Sequence, residues 1–140
     1  MKILLAVDGS SYSKMMLAYL GTHEALLSAA HEYTVFHTPS ALPPRAKAAL
    51  GKDIVEQYYR KEADKVLAPV GKFLKRHGIN AKLESKVGPA GASIAKQADS
   101  GKFDLLIMGS HGHSALTNLV MGSVATQVLP HCKTPVLLVR

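Results

Sequence analysis

Phe103-Asp104-Leu105-Leu106-Ile107-Met108-Gly109-Ser110-His111-Gly112 is the stretch that settles the fold, because a short apolar run ends abruptly in two closely spaced glycines. With a single charge near its start, the run reads as a central parallel strand buried on both faces. The carboxyl end of such a strand opens on a ligand crevice. Gly109 and Gly112 can take positive φ and let the backbone approach a bound group that a β-carbon would hold off. After nine intervening residues Gly112 is followed by Gly122 and Ser123, and Ser123 opens an apolar, helix-compatible segment, Val124-Ala125-Thr126-Gln127-Val128-Leu129. The unpaired N–H groups and partial positive charge of a helix start favour an anion. The spacing therefore points to a phosphate site, to which the Ser123 hydroxyl adds a donor. A glycine-rich turn that merely joins strand to helix is the plainer alternative. Neither G-x-x-x-x-G-K-[ST] nor G-x-G-x-x-G occurs, which argues against a Walker-type NTPase and an ordinary dinucleotide-binding domain.

Outward from this turn, strand and helix patterns alternate. Ile3-Leu4-Leu5-Ala6-Val7 is a first strand, and the Ser10 to Ser13 cluster caps a helix carrying Met15, Met16, Ala18, Leu20, Leu26 and Leu27. Tyr33-Thr34-Val35-Phe36-His37 is a second strand. The prolines of Thr38-Pro39-Ser40-Ala41-Leu42-Pro43-Pro44 begin a long loop reaching to about Asp53, expected to close over the site when a ligand is present. A long helix runs from about Asp53 to His77 and stops at Gly78. Ala81-Lys82-Leu83-Glu84-Ser85-Lys86-Val87 alternates apolar with polar, so a third strand is placed at a sheet edge. A turn at Gly88-Pro89-Ala90-Gly91 leads to a short helix from Ala92 to about Ala98, and Pro135-Val136-Leu137-Leu138-Val139 is a fifth strand. Strands alternating with helices predict an α/β fold, a parallel sheet covered on both faces.

At 140 residues the chain has the length of one domain, 1–140, with a real core. With 47% hydrophobic and 19% charged residues it reads as globular rather than disordered. No apolar run approaches membrane-spanning length, and Asp8 interrupts the start too early for a signal peptide, so a cytoplasmic location without membrane contact is expected. Cys132 stands alone and agrees with a reducing compartment; it reads as a small packed residue near a helix end. The 17 basic against 10 acidic residues give a net charge of +7, which raises nucleic acid as a partner. Lys61, Lys65, Lys72, Lys75 and Arg76, however, fall at helical spacing opposite the apolar stripe Val55, Tyr59, Val66, Val70 and Phe73, which reads as a solvated face. No basic run is interleaved with aromatics for base stacking, so nucleic acid is not expected. The charge can instead steer anionic nucleotides.

Taken together, Val7-Asp8-Gly9-Ser10, Asp104 to Gly112, Gly122-Ser123-Val124 and Pro135 to Val139 resemble the universal stress protein family along essentially the whole chain. Gly109, Gly112, Gly122 and Ser123 meet the G-x2-G-x9-G-[ST] signature of its nucleotide-binding branch. The resemblance implies an open five-stranded parallel sheet in the order 3-2-1-4-5, Rossmann-like and similar to the adenine nucleotide alpha hydrolases. It also implies ATP, or AMP or ADP, lying across the carboxyl ends of the strands. By position, Asp8 matches the acid near ribose and phosphates, where a carboxylate can hold Mg²⁺ or Mn²⁺ with the nucleotide. Thr38 matches the backbone contact to adenine, Met108, Gly109 and Gly112 the ribose and phosphate loop, and Gly122, Ser123 and Val124 the phosphate-binding helix start. The last strand, Val136, Leu137, Leu138 and Val139, resembles the one through which members form homodimers. Two features depart from the family pattern: Pro89 follows Gly88 directly, and Thr38-Pro39 stands where an aliphatic residue is usual.

Two closely spaced histidines, His111 and His113, are a weak zinc signal without a nearby Cys or carboxylate, so no structural metal is expected. His113 is placed instead beside the phosphates, as a neutral or partly charged donor. Asp8 also has a plainer role, since Asp-Gly-Ser starts a turn and caps a helix. No lysine or arginine stands in the loop to stabilise a γ-phosphate, and no G-x-S-x-G elbow accompanies Ser10, His111 and Asp8. The expectation is therefore a nucleotide-dependent stress-response switch with no catalytic residue, at most hydrolysing ATP slowly, that acts with a signalling partner of unknown identity. A slow ATPase or nucleotidyl-transfer enzyme, and a ligand-free dimeric interaction module, are the alternatives.

Overall fold

The computed structural model describes residues 1–113, 118 and 120–140. Its elements are β1 (Lys2–Ala6), α1 (Ser11–Gly21), β2 (Glu32–His37), α2 (Pro44–Leu50), α3 (Lys52–Arg76), β3 (Lys82–Ser85), α4 (Ala90–Ser100), β4 (Leu105–Gly109), α5 (Ser123–Val128) and β5 (Val136–Val139), with a short 3-10 turn at Leu129–His131 after α5. The five strands all pair in parallel, as the alternating pattern predicts, and in the order β3-β2-β1-β4-β5 that the family resemblance implies.

Alternation along each strand divides the core into two layers. Ile3, Leu5 and Val7 of the first strand and its extension, with Val35 and Ile107, meet Met16 and Leu20 of α1 and Ala63, Leu67, Val70 and Leu74 of α3. Leu4, Ala6, Phe36, Leu106 and Met108 face the other way, against Ile94 and Ala98 of α4 and Ala125 and Val128 of α5. The central strands β1 and β4 are thus apolar on both faces, because helices cover both. β3 has no such cover, and all four of its residues are exposed at the sheet edge.

Three boundaries differ from expectation. The first helix ends at Gly21, and Leu26 and Leu27 pack against the core from the connection after it. Thr22 accounts for the stop: its backbone N–H caps the helix and its hydroxyl donates to the Tyr19 carbonyl at 3.0 Å. The irregular stretch expected from Pro39 to Asp53 extends only to Pro43, since Pro44 sits at the first position of α2, where a missing N–H is harmless. Gly51, at φ 85, separates α2 from α3. The fourth helix begins at Ala90 rather than Ala92, directly after Pro89. The stripe of α3 lies as read: Lys61, Lys65, Lys72, Lys75 and Arg76 are exposed, and Val55 and Val70 are buried. Cys132 is partly buried just beyond the 3-10 turn, and burial pushes its thiol pKa up, which makes it a packed and unreactive group. Among the described residues, no helix is long and apolar enough to cross a membrane.

Candidate functional site

At the carboxyl ends of β1, β2 and β4 lies a cleft made of a small inner recess and a wider outer cavity of about 470 Å³. Asp8, Thr38, Ala90, Gly112 and Val124 line both parts. Met108 and Gly109 line the recess, while His113 and Ser123 line the outer cavity. The size is that of a small-molecule site. The structure thus brings together Asp8, Thr38, Met108, Gly109, Gly112, His113, Ser123 and Val124 from segments far apart in sequence.

Asp8 follows β1 and is fixed by its own turn. Its Oδ1 accepts from the Ser10 N–H and from the Ser13 hydroxyl, each at 2.9 Å, and its backbone N–H donates to the Ser13 oxygen at 3.0 Å. Gly9 makes the turn possible with φ 77, and Ser10 caps α1 by accepting from the Ser13 N–H. The capping role expected of this Asp-Gly-Ser stretch is present. The second oxygen, Oδ2, points at the glycine loop, since a β-carbon on Gly112 would come within 2.6 Å of it.

Gly109 and Gly112 do not use the positive φ open to them: the positive-φ glycines are Gly9, Gly51, Gly78 and Gly88. What these loop positions require is close approach. A β-carbon would lie 2.8 Å from Tyr12 Cβ at Gly109 and 2.9 Å from His111 Cα at Gly122. Gly122 itself does not line the cleft. It is the buried N-cap residue of α5, and its N–H donates to the Ser110 carbonyl at 2.7 Å, which draws the helix start down onto the loop. No side chain caps α5, so the N–H groups of its first turn have no helical partner, beside the exposed Ser123.

His113 Nε2 donates to the Asp8 carbonyl at 2.7 Å. That bond occupies Nε2, so a contact from this ring to a phosphate would be made through Nδ1. Ser10, His111 and Asp8 do not form a nucleophile set. The Ser10 hydroxyl serves the α1 cap, and His111 Nδ1 is paired with Ser110 Oγ at 2.8 Å. Among the described residues no three His, Cys, Asp or Glu side chains converge as a metal site. A divalent ion would fit only through Asp8 Oδ2 together with ligand oxygens and water, as Mg²⁺ is commonly held.

Sequence reasoning missed several cleft residues. Ser13 positions Asp8. His37 donates from Nδ1 to the Val7 carbonyl at 2.9 Å and lines the outer cavity. Tyr58, Glu62, Lys65 and Val66 bring the wall of α3 to the same cavity, and Val66 would be 3.3 Å from a β-carbon on Gly9. The apolar stripe of α3 was the signal that could have found Val66.

The profile of the universal stress protein family matches residues 1–140. Universal stress protein Slr1230 of Synechocystis is 34% identical over 140 residues, covering 99% of this chain but 42% of that protein, so the chain spans less than half of that relative's length. The solved structure of MJ0577, a universal stress protein of Methanocaldococcus jannaschii, superposes with a TM-score of 0.80 at 27% identity, covering 99% of this chain and 94% of that one. A universal stress protein family member from Arabidopsis thaliana, solved with AMP bound, superposes with a TM-score of 0.71 at 14% identity, covering 99% and 90% of the two chains.

Proposed function

The chain belongs to the universal stress protein family, and on that premise we propose that it is a nucleotide-binding member, an ATP-dependent switch rather than a catalyst. The observation that carries this reading is the cleft: three loop positions where a β-carbon would clash surround an uncapped helix start, opposite a carboxylate oxygen left free by its own turn. The AMP bound to the Arabidopsis relative supports an adenine nucleotide as occupant. In this reading the nucleoside lies across the mouth of the cleft beside Thr38 and Val124, which line both of its parts, and the phosphates run toward Gly112 and Ser123. Asp8 Oδ2 would hold Mg²⁺ or Mn²⁺ against the phosphates. When bound, such an ion neutralises phosphate charge. The chain's own part is to orient the carboxylate, through Ser10 and Ser13.

A homodimer through the last strand accompanies this reading. β5 is an edge strand whose Val136, Leu137 and Leu138 are only partly buried, and an edge of that kind can pair with another chain. Sedimentation of the purified protein tests it: a dimer is expected, and a monomer at micromolar concentration contradicts it.

Denaturing the purified protein, identifying any released nucleotide by mass spectrometry and following added ATP with Mg²⁺ over hours tests the main reading. Retained, intact ATP is the expected result. Steady conversion to ADP would move the assignment to a slow ATPase, and an empty protein that also ignores added ATP would leave a ligand-free interaction module.

A further inference from the structure

α3 is longer than the sheet it covers. Its 25 residues span about 37 Å at 1.5 Å per residue, whereas strands of 4 to 6 residues span about 13–20 Å. Three of its five buried positions, Leu67, Val70 and Leu74, lie in the second half. The first half of the helix runs along the cleft as its outer wall, and Tyr58 and Glu62, with Lys65 just past the midpoint, line the same cavity as Gly112 and Ser123. Among the described residues lining the cleft, Lys65 is the one lysine or arginine.

Lys65 has a partner. Its Nζ donates to Glu62 Oε1 at 2.9 Å, one helical turn away, with side chains 72% and 37% exposed. The pair raises the Lys65 pKa through the Glu62 hydrogen bond, which keeps the ammonium charged. An exposed i,i+3 pair contributes little to stability. It does hold the ammonium at the cavity wall, in a place where a stronger anion can take it over.

We propose that Lys65 is a subsite for the terminal phosphates of a nucleoside polyphosphate, and that Glu62 competes for it, so that the pair selects nucleotides by phosphate number. A monophosphate ends at the glycine loop, while a triphosphate extends into the outer cavity, where two further phosphates meet the ammonium. Charge-assisted contacts to phosphate are strong enough to displace an exposed carboxylate. The inference rests on the adenine-nucleotide reading and adds a discrimination which that reading does not require.

The test is titration of ATP and of AMP into the wild-type protein and into Lys65→Gln, Lys65→Arg, Glu62→Gln and Lys61→Gln. All three positions lie on one helix, and Lys61 is an exposed lysine that does not line the cleft. Lys65→Gln is expected to weaken ATP by about fivefold to tenfold while AMP stays within twofold. Lys65→Arg keeps the preference, Glu62→Gln sharpens it, and Lys61→Gln leaves it unchanged. Equal loss for ATP and AMP in Lys65→Gln, no loss for either, or the same ATP loss in Lys61→Gln overturns the subsite. Failure of the wild-type protein to bind either nucleotide overturns the adenine reading first and the subsite with it.

Discussion

The two turns that face each other across the cleft solve opposite problems. After β1, the chain completes its own hydrogen bonding: Asp8, Ser10 and Ser13 satisfy one another and the start of α1, and Gly9 supplies the one backbone angle that side chains resist. After β4, what stays open among the described residues is the start of α5. α5 begins without a side-chain cap, and the glycines serve by leaving room rather than by turning. A turn that satisfies itself is a scaffold, and a turn that does not is a receptor. The difference separates a site that positions a carboxylate from a site that awaits a ligand's oxygens.

The largest expected effect falls on the open turn. Gly112→Val and Gly122→Val place a side chain against Asp8 Oδ2 and the His111 backbone, and each is expected to weaken ATP binding by about a hundredfold or more, equivalent to about 2.7 kcal/mol, by calorimetric titration. Retained affinity in both would erase the contrast. Next comes the carboxylate. Chelation with EDTA is expected to weaken ATP binding about tenfold in the wild-type protein and not in Asp8→Asn, which keeps Oδ1 as an acceptor for Ser10 and Ser13 but loses the charge on Oδ2.

A crossed pair of serines sharpens the comparison at smaller amplitude. Ser10→Ala removes a helix cap and is expected to cost about 1 kcal/mol of stability in a denaturant melt, with nucleotide affinity changed less than twofold. Ser123→Ala is exposed and caps nothing, so its melt should match the wild type while affinity falls about fivefold. The reverse pattern would assign the two turns to each other's roles.

The smallest effect lies away from the cleft, at the entry to β5. Asp99 accepts from the Lys133 N–H, the Thr134 hydroxyl and the Thr134 N–H, and these bonds, led by Lys133, hold its pKa below the usual carboxylate range. A carboxyl lowered by folding stabilises fully above its unfolded pKa of about 3.9 and loses that contribution as pH falls through the folded value. Asp99→Asn is therefore expected to flatten the loss of stability below about pH 4 in melts from pH 7 to pH 2, with nucleotide affinity untouched. An unchanged acid limb would contradict the assignment.

The sheet was legible because β1 and β4 are buried on both faces, and such strands appear as unbroken apolar runs. The glycine loop was legible because its spacing follows backbone contact distances. What escaped has local causes. Pro43-Pro44 reads as a loop by composition, yet proline is harmless at a helix start, and α2 begins there. Gly109 and Gly112 read as fit for either role because sequence cannot distinguish a glycine that turns from a glycine that leaves room. Lys65 reads as a wet-face lysine, which it is by periodicity. Its place on the cleft wall depends on α3 packing past the turn at Gly9, where Val66 makes the contact, a relation between distant segments that no window of sequence contains.

The central claim is that the open turn after β4 receives the phosphates of an adenine nucleotide. Calorimetric titration of ATP with Mg²⁺ into the wild-type protein and into Gly112→Ala, both shown to be folded by their melts, tests it most directly. The account predicts saturable binding at one site per chain in the wild type, weakened at least about tenfold by the single added β-carbon beside Asp8 Oδ2. No binding to the wild type, or equal affinity in the two proteins, would contradict it.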